Sequence, residues 1–231
     1  MSIPHLLPED PTGGLRRGPR FRVPLPEEKP AAAPVMRIGL LGGSFNPAHD
    51  GHRTISIEAL RRLGLDRVWW LVSPQNPLKP TAGMASLADR LASAQAVARH
   101  PRIDVLDLER RFGTRFTVDL LRRLQVRAGY RFVLLLGADN LAQLPRWRHW
   151  VELIRSVDIA VAERQPYAYP ALRGPAASRL ADVRVPPERA HELIAQPAPG
   201  WTFLRMRPHP ASSTEIRRRA ALADAQPEEV I

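Results

Sequence analysis

Ile38-Gly39-Leu40-Leu41-Gly42-Gly43-Ser44-Phe45-Asn46-Pro47-Ala48-His49-Asp50-Gly51-His52 runs from an apolar segment through a glycine-rich turn to two histidines. The apolar part reads as a buried strand. The residues that follow, 53–63, carry apolar side chains at helical spacing: Ile55, Ala59, Leu60 and Leu63. The order is therefore strand, turn, histidines, helix. Gly42 and Gly43 lack a Cβ, so a ligand can approach the backbone of the turn closely, with Ser44 and Phe45 beside it. A helix N-terminus offers N–H groups without intrahelical partners and the positive end of a dipole, which together seat a phosphate. His49 and His52 stand three residues apart at that end and can face one anion. These features describe a nucleotide phosphate site. Two other phosphate motifs are missing: no G-x-x-x-x-G-K-[ST] occurs, and no G-x-G-x-x-G follows the first strand.

Outward from this stretch, apolar runs and helical spacings alternate. The runs are residues 36–41, 68–72, 103–106, 132–136, 159–162 and 203–206. The helical spacings fall at residues 53–63, 87–99, 117–127, 151–156 and 214–222. Such alternation predicts an α/β fold: a Rossmann-like, doubly wound, mainly parallel sheet with helices on both faces. Ligands of such sheets bind at the carboxyl ends of the strands, where the turn after the first run lies.

The 231 residues are 44% hydrophobic, enough for a core, and no apolar run approaches the ~20 residues that span a bilayer. No continuous apolar stretch marks a secretory signal. The absence of cysteine excludes disulfides, thiol catalysis and zinc–thiolate sites, and fits a cytoplasmic enzyme. The net charge is +11, and every basic residue except Lys29 and Lys79 is arginine. That balance suits phosphate-rich ligands as well as nucleic acid. The arginines are dispersed, many at solvated helix positions, and no nucleic-acid recognition module is visible, so most of them are expected to be surface charge. Residues 1–35 are rich in proline and follow neither helical nor strand periodicity. They are expected to form a disordered extension to one domain at 36–231. The sequence leaves homo-oligomerisation open.

Four more segments carry chemistry. In Ser73-Pro74-Gln75-Asn76-Pro77-Leu78-Lys79-Pro80, Lys79 either reaches a phosphate as a point charge or is an ordinary solvated lysine. In Glu109-Arg110-Arg111-Phe112-Gly113-Thr114-Arg115-Phe116-Thr117-Val118-Asp119, a helix is expected to begin near Thr117, with its hydroxyl as the cap. In Leu136-Gly137-Ala138-Asp139-Asn140-Leu141-Ala142-Gln143-Leu144-Pro145-Arg146-Trp147-Arg148-His149-Trp150, Asp139 follows a strand directly and could hold a ribose hydroxyl. Trp147 is either core or a flat face for a ligand ring; Trp150 is read as core. In Ala211-Ser212-Ser213-Thr214-Glu215-Ile216-Arg217, residues Ser212, Ser213 and Thr214 read as a helix cap, with Arg217 one turn in and converging on the same anion.

The pattern G-G-x-F-x-P-x-H-x-G-H at 42–52 resembles the signature of the H-x-G-H nucleotidyltransferase superfamily, and Ser212 to Arg217 resembles its I-S-S-T-x-I-R signature. The segments at Glu109 and Gly137 resemble E-x-x-R-x-x-x-S-Y-T-x-D-T-L and G-A-D-N-L-x-x-L-x-x-W-x-x-W of the nicotinate mononucleotide adenylyltransferases. The resemblance implies transfer of AMP from ATP to nicotinate mononucleotide in NAD biosynthesis, giving deamido-NAD and pyrophosphate. It places ATP on Gly42, Gly43, Ser44, Phe45, His49, His52, Ser212, Ser213, Thr214 and Arg217. The transferring phosphate falls to His49 and His52, and the triphosphate to Lys79 and Arg217. The mononucleotide falls to Thr117 and Val118, whose N–H groups meet its carboxylate, and to Asp139, Trp147 and Arg148. Mg²⁺ is implied as the companion of ATP, without a protein metal cage. Leu78, Arg115, Phe116 and Ala211 depart from the family pattern. Related adenylyltransferases acting on nicotinamide mononucleotide or phosphopantetheine, and a basic nucleic-acid-binding protein, are the alternatives.

Overall fold

The computed structural model describes residues 35–75, 83–127, 129–207 and 209–224. Lys79 and residues 1–34 of the proline-rich extension lie outside the described residues. Seven strands alternate with helices: β1 (Met36–Gly43), α1 (Asp50–Arg62), β2 (Arg67–Val72), α2 (Leu87–Val97), β3 (Ile103–Leu106), α3 (Leu108–Phe112) and α4 (Thr117–Gln125). Then follow β4 (Tyr130–Gly137), α5 (Ala138–Gln143), α6 (Trp150–Ser156), β5 (Asp158–Ala162), α7 (Ala168–Leu172), α8 (Pro175–Arg179), β6 (Arg184–Val185), β7 (Trp201–Leu204) and α9 (Ser213–Asp224). The strands form one sheet in the order β3-β2-β1-β4-β5-β7-β6, and every pair is parallel. Chain progression reverses between β1 and β4, and a crevice outside their carboxyl ends is the natural ligand position.

Period-two alternation divides the strand side chains between two cores. Ile38 and Leu40, Trp69 and Leu71, and Phe132, Leu134 and Leu136 pack on one face against Val118, Leu121 and Leu124 of α4 and Leu153 of α6. Leu41, Val68, Trp70, Val72, Val133 and Leu135 pack on the other against Ala59 and Leu60 of α1 and Ala94 of α2. Both faces are covered, which explains why the strands read as continuous apolar runs.

Three features differ from the sequence expectation. Gly42 and Gly43, expected in the turn, close β1 in register with Leu71 and Val72. The last strand is displaced two residues toward the N-terminus, to Trp201–Leu204. Trp201 and Thr202 are fully enclosed, and the Trp201 indole N–H donates to the Leu180 carbonyl at 2.8 Å, so this pair enters the sheet while Arg205 and Met206 leave it. The two-residue β6 and the short helices α3, α5, α7 and α8 were not anticipated. None of them is long enough to repeat a periodic pattern.

Candidate active site

At the carboxyl end of β1 the chain turns through Phe45, whose φ of +47° is unusual for a residue with a side chain. Phe45 was expected to meet ATP, yet its ring is buried. It lies 4.8 Å from the His52 ring and stacks at 5.1 Å on Trp70. The aromatic residue of the turn therefore forms the wall that holds His52. Trp70 adds a second support: its indole N–H donates to Ser56 Oγ at 2.7 Å, and that hydroxyl donates to the His52 carbonyl at 2.9 Å.

The two histidines are the N-terminal cap of α1. His49 is the cap residue, and its Nδ1 accepts from the Gly51 N–H at 3.1 Å. His52 Nδ1 in turn accepts from the His49 N–H at 3.2 Å, closing a capping box. This corrects the expectation of a helix end whose N–H groups are all open to phosphate, because the rings take two of them. Acceptance at Nδ1 places the proton of the neutral His49 imidazole on Nε2, whereas His52 Nδ1 also lies 3.3 Å from the His49 carbonyl and donates to it in the other tautomer. The ring centroids are 3.9 Å apart. A Cβ on Gly51 would sit 2.9 Å from the His49 ring, so the residue between the histidines must be glycine for this cap to close. At Gly42 a Cβ would meet no atom within 4 Å, leaving open space over the strand end.

The α9 signature docks on the same turn. Ser212 Oγ accepts from the Glu215 N–H at 3.1 Å and caps α9. Ser213 Oγ donates to the Pro47 carbonyl at 2.9 Å, and Arg217 Nη1 donates to the Asn46 carbonyl. Thr214 is exposed beside them. Residues 166 and 171 apart in sequence thus meet across one turn.

At the end of β4, Asp139 folds back over the strand. A Cβ on Gly137 would lie 2.4 Å from its Oδ1. That Oδ1 is buried and has no hydrogen-bond partner, while Oδ2 pairs with Arg164 Nη1 at 3.3 Å. Arg164 follows β5 at the same sheet edge and its charge reaches His49. Burial above all, then the positive charges of Arg164 and His209, hold the His49 pKa down at about 4, with Asp50 opposing them. His49 is therefore a neutral Nε2–H donor at physiological pH.

Thr117, Val118 and Arg148 form a separate group. Thr117 is the first residue of α4, not its cap: Phe116 occupies the cap position with extended backbone, and no side chain caps the helix. The expected hydroxyl cap is thus absent because the chain enters the helix one residue earlier. The N–H groups of the first turn therefore have no side-chain cap. The Arg148 guanidinium lies 4.8 Å over the Phe116 ring, joining the loop after α5 to the start of α4. Trp147 and Trp150 are both half-buried against the core on this face.

Sequence reading missed three residues of this edge. Arg164 follows β5 as Asp139 follows β4, so the carboxyl-edge rule pointed to it. Asn46 ties the turn to the loop before α2, its Nδ2 donating to the Gly83 carbonyl at 3.0 Å and its Oδ1 accepting from the Ala85 N–H at 3.2 Å. Arg90 is 2% exposed, an exception to the reading of most arginines as surface charge. It interrupts the apolar stripe Leu87, Leu91, Ala94 of α2 at a core-facing position, a legible signal.

Known proteins resemble this chain in sequence and in fold. Residues 40–219 match the cytidylyltransferase-like family, and the chain belongs to that family. A protein of Parvibaculum lavamentivorans named "Probable nicotinate-nucleotide adenylyltransferase" is 52% identical over 187 residues, covering 80% of this chain and 93% of that one. A Bradyrhizobium protein of the same name is 51% identical over 183 residues, covering 79% and 95%. Within the family, the chain belongs with the nicotinate-nucleotide adenylyltransferases. The solved structure of Plasmodium falciparum nicotinic acid mononucleotide adenylyltransferase complexed with NaAD shares the fold, with a TM-score of 0.58 at 16% identity, over 79% of this chain and 83% of that one.

Proposed function

We propose that the chain transfers AMP from ATP to nicotinate mononucleotide. A phosphate oxygen of the mononucleotide attacks the α-phosphorus of ATP in line. The bond from that phosphorus to the α–β bridging oxygen breaks, and pyrophosphate leaves as deamido-NAD forms. The observation that carries this reading is the histidine pair: two imidazoles held through Nδ1 by the backbone of the helix cap, 3.9 Å apart, at the carboxyl edge of β1.

With its Nδ1 occupied by the Gly51 N–H, His49 offers Nε2–H to a non-bridging oxygen of the transferring phosphate, and the His52 ring 3.9 Å away serves the same phosphate. Donors fixed before reaction stabilise charge that develops in the transition state without reorganising. Arg217 has five N–H donors, so its bond to Asn46 leaves capacity for the β- and γ-phosphates, beside Ser212, Ser213 and the N-terminus of α9. Lys79 supplies a further point charge in this scheme. The acceptor lies at the α4 end, with the nicotinate carboxylate on the Thr117 and Val118 N–H groups, the ring against Trp147, and Arg148 nearby. Asp139 Oδ1, buried and unpaired, takes a ribose hydroxyl. Mg²⁺ carried by ATP would supply charge neutralisation at the triphosphate oxygens; no group of three or more His, Cys, Asp or Glu side chains gathers for a metal among the described residues. No helix among the described residues is long and apolar enough to cross a membrane, and a cytoplasmic setting belongs to the same reading.

Pyrophosphate release from ATP and Mg²⁺ tests the proposal directly, with nicotinate mononucleotide, nicotinamide mononucleotide and phosphopantetheine offered in turn. The acid mononucleotide should be strongly preferred. Equal turnover of the amide would remove the carboxylate role of α4, and no release with any acceptor would overturn the proposal.

A further inference from the structure

We propose that Arg90 is a positioning residue for the ATP half of the site: one buried guanidinium that sets the turn after β1 against the loop after β2. The inference rests on the placing of ATP at the β1 turn. Arg90 projects from the core-facing side of α2 and makes four bonds. Its Nε donates to the Ala85 carbonyl at 3.0 Å, and Nη2 donates to the Pro74 carbonyl at 2.9 Å. Nη1 is shared between the Ser44 and Ser73 carbonyls, each at 2.7 Å.

The location explains the need. The parallel ladder of β1 and β2 ends at Gly43 and Val72, with one last backbone bond from the Ser73 N–H to the Gly43 carbonyl. Beyond it the strands diverge and their carbonyls have no ladder partner. Arg90 bridges the carbonyls of Ser44 and Ser73 just where the backbone stops doing so. A planar fork with fixed donor directions can span carbonyls from three segments, whereas an ammonium presents its donors from one point. All four acceptors are backbone carbonyls, and no carboxylate among the described residues pairs with the buried charge. Asn46 extends the clamp. Ala85 is held at its N–H by Asn46 and at its carbonyl by Arg90, while the Asn46 carbonyl accepts from Arg217. One chain of bonds thus links Arg217, the H-x-G-H turn, the start of α2 and the loop after β2. None of these contacts involves α4 or Trp147.

Arg90→Lys tests this by separating the two substrates. The variant should weaken Mg-ATP binding in calorimetry without acceptor, and lower kcat/KM for ATP by about 10- to 100-fold, the scale of an ångström-level misplacement. KM for nicotinate mononucleotide should stay within about twofold, because the acceptor half is positioned independently. Parental ATP binding would overturn the proposal. Equal loss toward both substrates would also overturn it, by showing a general structural role. If Arg90→Lys does not fold, Asn46→Ala decides the matter: it removes the ties to Gly83 and Ala85 and keeps the backbone carbonyl that Arg217 uses, so ATP kinetics should suffer in the same direction, and unchanged ATP kinetics would refute the clamp. Calorimetry with Mg-ATP alone keeps this test separate from the identity of the acceptor. A parent that binds ATP but adenylates no mononucleotide would refute the proposed reaction and leave the clamp standing.

Discussion

The two edges of the sheet use arginine in opposite ways. At the amino edge three arginines each meet an aspartate from the neighbouring strand or its approach. Arg37 grips Asp66 through Nε at 3.2 Å and Nη2 at 2.9 Å, and Arg67 grips Asp104 with two bonds of 2.6 Å. Arg131 holds the fully buried Asp158. At the carboxyl edge, Arg90 and Arg217 donate to carbonyls, and Arg164 has one 3.3 Å contact with Asp139. A carboxylate cancels a guanidinium charge. A carbonyl dipole fixes the side chain and leaves the charge in place to act on an anion. The net charge of +11 therefore misleads as an average. What matters is which edge carries charge that nothing has cancelled.

The sharpest way to break this contrast is Arg131→Met. At the amino edge the loss should appear in stability and not in catalysis. Removing one partner of a buried pair leaves an uncompensated charge and costs about 3–5 kcal/mol. Burial already pushes the Asp158 carboxyl above its ordinary range, and Arg131 opposes that shift. In the variant the folded pKa rises further above the unfolded one, so stability is recovered as pH falls through it and lost as pH rises. Urea unfolding at several pH values should show this, with kcat/KM of the folded enzyme within about twofold of the parent. A large drop in kcat/KM would erase the division of labour.

His52→Ala is the mirror experiment. Losing one preorganised donor typically costs about 10²–10³ in kcat. The same change deletes the acceptor of the His49 N–H, a capping loss of about 1 kcal/mol, so the melting temperature should fall only slightly. A kcat within a few-fold of the parent would remove His52 from the chemistry.

The contrast between edges also marks what the sequence could say. The strand, turn and helix around Gly42 to His52 were legible because period, glycine and cap residue agree locally. The meeting of Arg217 with that turn was implied only by motif resemblance, since no local rule joins residues 171 apart. The histidines as cap, and Phe45 as their wall, were not legible. The residue types pointed to phosphate, and the backbone partners of a ring depend on its rotamer. Arg90 was readable as a charge on an apolar stripe, but composition argued for surface. The aspartates of the amino edge gave no signal, because each pairs with an arginine from a different segment.

Trp147→Ala sharpens the comparison where function and core overlap. Trp147 belongs to the carboxyl edge, yet it is half-buried against the core. Stacking on a cationic pyridine ring is worth roughly 1–2 kcal/mol, or about five- to thirty-fold in KM for nicotinate mononucleotide. KM for ATP should stay nearly constant. The preference for acid over amide should survive, because the carboxylate is assigned to α4. Similar rises in both KM values, with a lowered melting temperature, would make Trp147 a core residue.

The smallest effect probes whether charge at the carboxyl edge is felt beyond its own contact. Arg164 pairs with Asp139, but its field is among the causes that hold His49 at about pKa 4, after burial. Arg164→Gln removes that field and leaves the Asp139 carboxylate without its cation, and both changes favour protonated His49. Its pKa should rise toward the ordinary histidine value, by less than about one unit because burial remains, which corresponds to under about 1.4 kcal/mol. The sign carries into stability. With a folded pKa below the unfolded one, the unfolded chain binds more protons as pH falls from about 6.5 to 4, so acid destabilises the fold in that window. A smaller gap in the variant should make this acid-induced loss shallower. NMR titration of the His49 ring in both proteins measures the shift directly, without relying on turnover. An unchanged or lowered His49 pKa would mean that Asp139 already cancels Arg164, and that the contrast between the two edges holds only for Arg90 and Arg217.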